Sequence, residues 1–282
     1  MKKGLGAGGY TLVEVMIVMA ISGSLLLAAG AMISGQRNRT EFSQAIREID
    51  SQIQDVINDV ATGYYANTAN FNCSAAGAPS RPRLTPTASG DSQGTNRDCV
   101  FIGRVMHFGV ANSDRERFNV YNVVGLRQAL SGGEYANVQT LAQARPTAMA
   151  RGSADTTTPD STEQKKLQYG LRIRSMTVNG QPVGAVGFLG SLVPGASNGG
   201  NLVSGAQTVN MLPIPGTTLD ATSGTTVDRI NALDTASITL NPSNGVVLCF
   251  ESGGTNEYGQ ITIGSNARRL TTTTVIQRGN CP

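Results

Sequence analysis

The sequence YTLVEVMIVM at positions 10–19 opens the segment that decides how this chain is organised. From 15 to 34 the chain carries no charged side chain, and serine and glycine are the only interruptions among apolar residues. About 20 residues at a rise of about 1.5 Å span about 30 Å, which is the thickness of the hydrocarbon core of a bilayer. The sequence therefore predicts one membrane-spanning helix near the start of the chain.

A short basic leader precedes this segment, in which Lys2 and Lys3 are followed by Gly8 and Gly9. An ordinary secretory signal is cleaved after its apolar segment, beside small residues, whereas the candidate site here lies before it. From Lys2 to about Gly35 the pattern resembles the prepilin signal of type IV pilins and of the pseudopilins of type II secretion systems.

This resemblance implies that a prepilin peptidase cuts between Gly9 and Tyr10 and that the new amine of Tyr10 is N-methylated. Tyr10 stands where this family usually has phenylalanine, so the aromatic ring is kept. The partners that the resemblance implies are other pilin subunits, the peptidase, an assembly platform in the inner membrane, and membrane lipid before assembly.

Glu14 is a carboxylate five residues into an otherwise apolar span, and such a group is costly in hydrocarbon. If the peptidase exposes the amine of Tyr10, a neighbouring subunit can offer that cation to Glu14. We therefore expect Glu14 to act in assembly, because its charge is compensated only when subunits stack in register. The alternative is a single-pass anchor in which Glu14 lies at the level of the headgroups without a partner.

After Gly35 the helical period continues with an apolar stripe. Its members recur at alternating steps of four and three, and they are Phe42, Ile46, Ile49, Ile53, Val56 and Val60. This is an amphipathic helix, and Gly63 is the expected stop. A free-standing coiled coil is the alternative, although fewer than three heptads are present. We predict one helix from about Thr11 to Thr62, and thus a leader (1–9), a helix (10–63) and a β-rich head (64–282).

The composition fits one head carried by one anchor: the chain has 282 residues, of which 39% are hydrophobic and 15% charged. The net charge of +3 is too small to indicate nucleic-acid binding by itself. Residues 4–9 satisfy the pattern G-x-G-x-x-G, but only three residues stand before them. The strand that a dinucleotide fingerprint needs is therefore absent, and we expect no cofactor.

The four cysteines, Cys73, Cys99, Cys249 and Cys281, all follow the membrane segment. In an exported head disulfides persist. Pairing by proximity gives Cys73–Cys99 and Cys249–Cys281, although four cysteines allow three connectivities. Their spacing does not indicate a metal site, and free or cross-paired thiols are the alternative.

The sequence of the head predicts strands separated by loops. The whole chain is therefore predicted to have an α+β fold in which the long helix packs on an antiparallel sheet. Strands are predicted at 99–106, 118–124 and 171–178, the last turning at Asn179-Gly180 into a partner at 183–193. We predict a loop at 64–98, a short helix within 126–144, a polar loop at 145–164, a short strand at 207–212 and a helical turn at 227–233. Strands at 245–251, 260–263 and 270–277 end the chain. This last meander is similar to the C-terminal part of GspH/FimT-type pseudopilins.

Catalytic and metal patterns are weak. His107, the single histidine, lies in an apolar strand-like stretch without a nucleophile motif, so we expect a histidine satisfied by its neighbours. Five aspartates lack the spacing of a calcium loop, although a site of oxygen ligands stays open because some pseudopilins bind calcium. They are Asp155, Asp160, Asp220, Asp228 and Asp234.

Three arginines near the end of the chain, Arg268, Arg269 and Arg278, form the candidate DNA contact. Some FimT-like minor pilins capture DNA through arginines in this region, and such binding falls steeply with salt. The alternative is a polar turn with ordinary surface charge.

The sequence therefore predicts a minor type IV pilin or pseudopilin that is structural machinery rather than an enzyme. It would be a single-pass protein of the inner membrane with its head outside the cytoplasm, and later part of an extracellular pilus or a periplasmic pseudopilus. The resemblance sets this orientation, since Lys2 and Lys3 oppose Arg37 and Arg39 across the span. A DNA-binding minor pilin for DNA uptake is the second hypothesis. A membrane-anchored surface adhesin or enzyme outside any filament is the third.

Overall fold

A computed structural model of the chain describes residues 11–63, 71–75, 81–86, 98–110, 114–131, 133–149, 163–190, 209–236, 240–266 and 269–281. Helix α1 runs from Leu12 to Thr62 without a break. The hydroxyl of Thr11 caps its first turn by accepting a hydrogen bond from the backbone N–H of Glu14, at 3.3 Å. Gly63 ends the helix with a left-handed backbone at φ 70°, as predicted.

The other elements belong to the head. The helices are α2 (Leu141–Ala144) and α3 (Ser223–Asn231), the latter followed by a 3-10 turn at Ala232–Asp234. The strands formed by the described residues are β1 (Phe71–Ser74), β2 (Arg83–Pro86), β3 (Cys99–Val110), β4 (Asp114–Leu126), β5 (Gln128–Ser131), β6 (Glu134–Asn137), β7 (Thr147–Met149), β8 (Glu163–Lys166), β9 (Leu171–Val178), β10 (Gln181–Pro182), β11 (Ala185–Gly190), β12 (Val209–Pro213), β13 (Val246–Ser252), β14 (Glu257–Asn266) and β15 (Arg269–Arg278).

Two antiparallel sheets make up most of the head. The five-stranded sheet has the order β10-β9-β13-β14-β15, and the six-stranded sheet has the order β12-β11-β3-β4-β7 with β8 also paired to β4. Two short hairpins, β1–β2 and β5–β6, lie outside these sheets. The α+β architecture predicted from the sequence is confirmed, and it is pilin-like: one long helix on antiparallel sheets.

The main core lies between the second half of α1 and both sheets. All six residues of the predicted stripe, from Phe42 to Val60, are at most 4% exposed. They pack with Phe108 and Phe118 of the six-stranded sheet and with Phe250 and Ile261 of the five-stranded sheet. The apolar stripe is therefore covered by the head of the same chain, as expected for an amphipathic helix that packs on a sheet and not for a free coiled coil.

A second core lies on the other side of the six-stranded sheet. There Tyr121 and Leu189 pack under α2 and α3, against Leu141 and Ile230. The six-stranded sheet is thus covered on both faces, which accounts for the continuous run of buried residues from Phe118 to Leu126 in β4.

The predicted short helix within 126–144 is confirmed as α2, and the hairpin β5–β6 precedes it. Two predicted loops need correction. The predicted polar loop at 145–164 begins with β7, and β8 opens within its last two residues. The loop at 64–98 contains the hairpin β1–β2.

The predicted hairpin at Asn179-Gly180 forms only in part. Both turn residues have positive φ, but the returning strand β10 pairs with β9 at two positions only. Pro182 has no N–H with which to extend the ladder. From Ala185 the chain crosses to the six-stranded sheet, where β11 pairs with β3 and β12.

Candidate assembly helix and the surfaces around it

The first half of α1 projects from the head. All described side chains between Thr11 and Thr40 are exposed, and Leu12, Leu26 and Leu27 each show more than 70% of their surface. This part of the helix is long and apolar enough to cross a membrane, and none of it is buried within the chain. An apolar surface of this size needs lipid or other protein around it.

Glu14 lies in the first turn of this exposed half, where its carboxylate faces the positive end of the helix dipole. Its backbone N–H is used by Thr11, and no described residue offers its side chain a hydrogen bond or an ion pair. Among the described residues between Glu14 and Arg37 there is no other charge. The carboxylate is therefore available to a group from outside the chain.

A family model for the prokaryotic N-terminal methylation motif matches residues 6–30. The chain carries a type IV pilin-like signal. The match spans the expected cleavage point between Gly9 and Tyr10, Glu14, and most of the exposed apolar helix. Motif and helix together fit a single-pass, membrane-anchored protein of the type IV pilin or pseudopilin kind. Gly9 and Tyr10 themselves lie outside the described residues. Neither curated proteins nor solved structures gave a match to this chain.

The head contains both disulfides that sequence proximity gives. Cys73 is bonded to Cys99, and Cys249 is bonded to Cys281. The first bond joins the hairpin β1–β2 to the start of the six-stranded sheet. The second joins the centre of the five-stranded sheet to the tail that follows β15.

The three C-terminal arginines do not form one cluster. Arg268 lies outside the described residues, and Arg269 and Arg278 are the first and last residues of β15. Nine strand steps of about 3.3 Å separate these two by about 30 Å. A DNA contact that needs all three arginines on one small patch of a single head is therefore not formed, because Arg269 and Arg278 lie too far apart.

His107 is completely buried in β3, and both of its ring nitrogens are satisfied. Nε2 lies 3.1 Å from the carbonyl oxygen of Thr218, and Nδ1 lies 3.2 Å from the hydroxyl of Thr226. A carbonyl can only accept, so the Nε2–H donates to Thr218 and Nδ1 of the neutral ring is the acceptor. The single proton of the Thr226 hydroxyl is shared between Nδ1 and the carbonyl oxygen of Thr222, which lies at 3.2 Å. Burial lowers the pKa of His107, and the bond to Thr218 offsets part of this. A neutral imidazole held in this way serves the fold.

The described aspartates of the candidate calcium set lie apart. Asp234 receives two hydrogen bonds from Arg81, at 2.7 and 2.8 Å, and Asp220 pairs with Arg115 at 2.8 Å. Asp228 is exposed on α3, while Asp155 and Asp160 lie outside the described residues. Within the part of the chain that the structure describes, no three side chains of the His, Cys, Asp or Glu type are placed to hold a metal ion.

One buried charge was missed by the sequence analysis. Arg104 of β3 is 3% exposed, and it pairs at 2.5 Å with Asp59 of α1 and at 2.5 Å with Glu163 of β8. It thus ties the last turns of the helix to the six-stranded sheet. An arginine inside an apolar strand was a signal of a buried ion pair, but its partners lie 45 and 59 residues away.

Proposed function

We propose that this chain is a filament subunit, a minor type IV pilin or pseudopilin that enters the filament through the exposed half of α1. The observation that carries the proposal is the division of this helix. The second half of the helix packs against the head of the same chain, whereas the first half, with Glu14, has no partner among the described residues. The methylation motif on that same half supports assembly with other pilin-like subunits.

The proposed assembly step pairs two subunits through charge. The peptidase removes the leader and frees the amine of Tyr10. This amine, in its protonated form, meets the carboxylate of Glu14 from a neighbouring subunit, and the two form an ion pair or share the proton. In hydrocarbon such a pair is much less costly than either charge alone. Subunits out of register leave the acid unpaired, so the pair selects the correct stacking.

The test follows the mature N-terminus and the filament. Mass spectrometry of the protein from its host is expected to find a chain that begins at methylated Tyr10. Glu14→Ala is expected to keep membrane insertion and cleavage but to reduce incorporation into filaments by at least about tenfold, which corresponds to about 1.4 kcal/mol of lost pairing. Glu134→Ala, a change of the same charge on the exposed strand β6, is the control and should leave incorporation unchanged. An uncut precursor, or normal incorporation of the Glu14 variant, would refute the proposal.

The finer parts of the proposal rest on the head. Its size and its loops support a minor subunit with a displayed head, and the similarity of the C-terminal meander to GspH/FimT-type pseudopilins points the same way. We propose that it has no catalytic role, and that its partners are the peptidase, the assembly platform and other pilins. The separation of Arg269 from Arg278 does not favour DNA capture by one head, so DNA binding is not proposed.

A further inference from the structure

The base of the head surrounds α1 where the helix leaves its apolar span. Asn38 donates a hydrogen bond to the carbonyl oxygen of Gly254 at 3.1 Å, and Arg39 lies 3.4 Å from the carboxylate of Glu257. A cleft of about 310 Å³ joins Asn38 to Tyr169 and to residues of β4, β9 and the β13–β14 turn. A second cleft, of about 300 Å³, joins Arg39 to Arg278.

These contacts define a neck surface at the level of helix residues 35–41. Its charged members are five cations and four carboxylates: Arg37, Arg39, Lys166, Arg172 and Arg278 with Glu41, Glu116, Glu251 and Glu257. The cations therefore exceed the carboxylates by one.

Every ion pair of the neck surface exposes its cation more than its carboxylate. Arg37 is 75% exposed beside Glu41 at 32%, and Arg39 is 57% exposed beside Glu257 at 15%. Glu116, at 27%, holds two cations, Arg172 at 65% and Lys166 at 62%. Elsewhere in the described head the order is mixed: Asp220 is more exposed than Arg115, whereas Arg81 is more exposed than Asp234. The carboxylates thus lie inside, and the surface presents guanidinium and ammonium groups.

We propose that the neck surface binds the anionic headgroups of the bilayer while the subunit waits in the membrane. This rests on the membrane anchoring that belongs to the proposed function. Arg37 follows the last residue of the apolar span by only three positions, or about 4.5 Å along a helix. Arg37 and Arg39 therefore lie within about one Debye length of the headgroups, where each lysine or arginine is attracted to anionic lipid. Arg172 and Arg278 line the clefts that reach helix residues 35–41.

Tyr169 adds an aromatic group to the same surface. It is 52% exposed in the turn before β9 and lines the cleft beside Asn38. Tyrosine is enriched at membrane interfaces because its ring is apolar and its hydroxyl is polar. Cations and one aromatic side chain around the point of exit are the combination that suits a headgroup layer.

The opposite end of the head provides a matched reference. The last residue of β11, Gly190, lies beside Val60 in the final turn of α1, so the start of β3 and the end of β4 lie at this distal end. The hairpin β5–β6 follows β4 there and carries Tyr135, which is 65% exposed. From residue 38 to residue 60 the helix rises about 33 Å, so Tyr135 lies far from the neck surface.

The experiment uses the full chain reconstituted in lipid vesicles. The chain has no tryptophan, so Tyr169→Trp places a single fluorescence donor at the neck and Tyr135→Trp places one at the distal end. Energy transfer to dansyl groups on the lipid headgroups is measured in phosphatidylcholine alone and in phosphatidylcholine with phosphatidylglycerol at about 3:1. Transfer from the neck donor is expected to be at least about twofold higher in the anionic vesicles, and to fall to the neutral level in about 1 M NaCl, where the Debye length is about 3 Å.

Charge variants separate binding from mere proximity. Lys166→Gln with Arg172→Gln removes two neck cations that lie outside the membrane helix, and it should abolish the gain in anionic vesicles. Arg83→Gln with Arg127→Gln removes the same charge outside the neck surface and should leave the gain unchanged. Equal transfer in both lipids at low salt, or equal losses in both variants, would overturn the proposal and leave the neck surface as a contact between subunits. If the chain can be washed off the vesicles, anchoring itself has failed.

Discussion

At the scale of single residues, the buried His107 makes the stability of the head depend on pH. Its imidazole is neutral, because burial lowers its pKa below the ordinary value of 6.5 while unfolding returns it to water. The unfolded chain then binds a proton that the folded chain excludes, so stability is lost as pH falls below about 6.5. The exposed pair of Glu116 with Arg172 affects stability in a lower pH range. The hydrogen bond from Arg172 lowers the pKa of Glu116, so the stability that this pair contributes is lost only below about pH 4.5.

We therefore predict a steeper pH dependence for the natural chain than for His107→Gln. Between about pH 6.5 and 5.5 the free energy of unfolding of the natural chain should fall by up to about 1 kcal/mol more than that of the variant. Urea unfolding of the full chain in detergent at several pH values measures both slopes. Thr225→Ala, a change at an exposed threonine one position before Thr226, is the control, and parallel curves for natural chain and His107→Gln would contradict the prediction.

At the scale of elements, the packing of α1 on the five-stranded sheet depends on a residue without a side chain. Gly259 of β14 faces Ile46, and a Cβ added there would lie 2.4 Å from Cδ1 and 2.7 Å from Cγ1 of Ile46. No real Cβ approaches another atom so closely, so the helix or the side chain would have to move. The short distance between helix and strand is thus set by this glycine together with the isoleucine above it.

Gly259→Ala is expected to destabilise the head by about 1–3 kcal/mol, as overpacked cores do. Ile46→Ala alone should cost about 2–5 kcal/mol, but it also removes the atoms that the new methyl meets. The double variant should therefore lose at least about 1 kcal/mol less than the sum of the single losses in urea unfolding. Gly264→Ala on the same strand is the matched control, since nothing lies within 4 Å of its added Cβ. Strictly additive losses would show that the two residues do not limit the packing.

At the scale of the whole molecule, the two disulfides close the head at separate places. Cys249 and Cys281 are 32 residues apart, and their bond holds the tail after β15 against β13. The backbone N–H of Cys281 also donates to the carboxylate of Glu251 at 3.2 Å. Since β15 is the last strand of its sheet among the described residues, this tail restrains an edge.

Removing this disulfide by Cys249→Ala with Cys281→Ser should lower the free energy of unfolding by about 3–4 kcal/mol, the chain-entropy value for a loop of this length. Hydrogen exchange should also rise first in β15, at the edge that has lost its restraint. Reduction of the natural chain should reproduce this selective change as soon as the bond between Cys249 and Cys281 is open. A uniform rise over both sheets would mean that the bond stabilises the head as a whole and not this edge.

The sequence by itself determined the long helix and the different surroundings of its two halves, an apolar first half left exposed by the head and an amphipathic second half that packs on the head. An uninterrupted apolar run and a stripe at steps of three and four are local patterns, and each residue needs only its near neighbours to reveal them. The same holds for the stop at Gly63, for the meander at the end of the chain and for the methylation motif. Glu14 stood out for the same reason, as a single acid within apolar residues.

Only the tertiary structure decided where the strands go and which charges meet. A turn was visible at Asn179-Gly180, yet the strand after it joined β3, since the partner of a strand is chosen by contacts distant in the chain. Arg104 has partners in α1 and β8 that no spacing relates to it, and the neck surface gathers residues from positions 37 to 278. Local order follows from the backbone and its periodicity, whereas these sites form only when remote segments pack together.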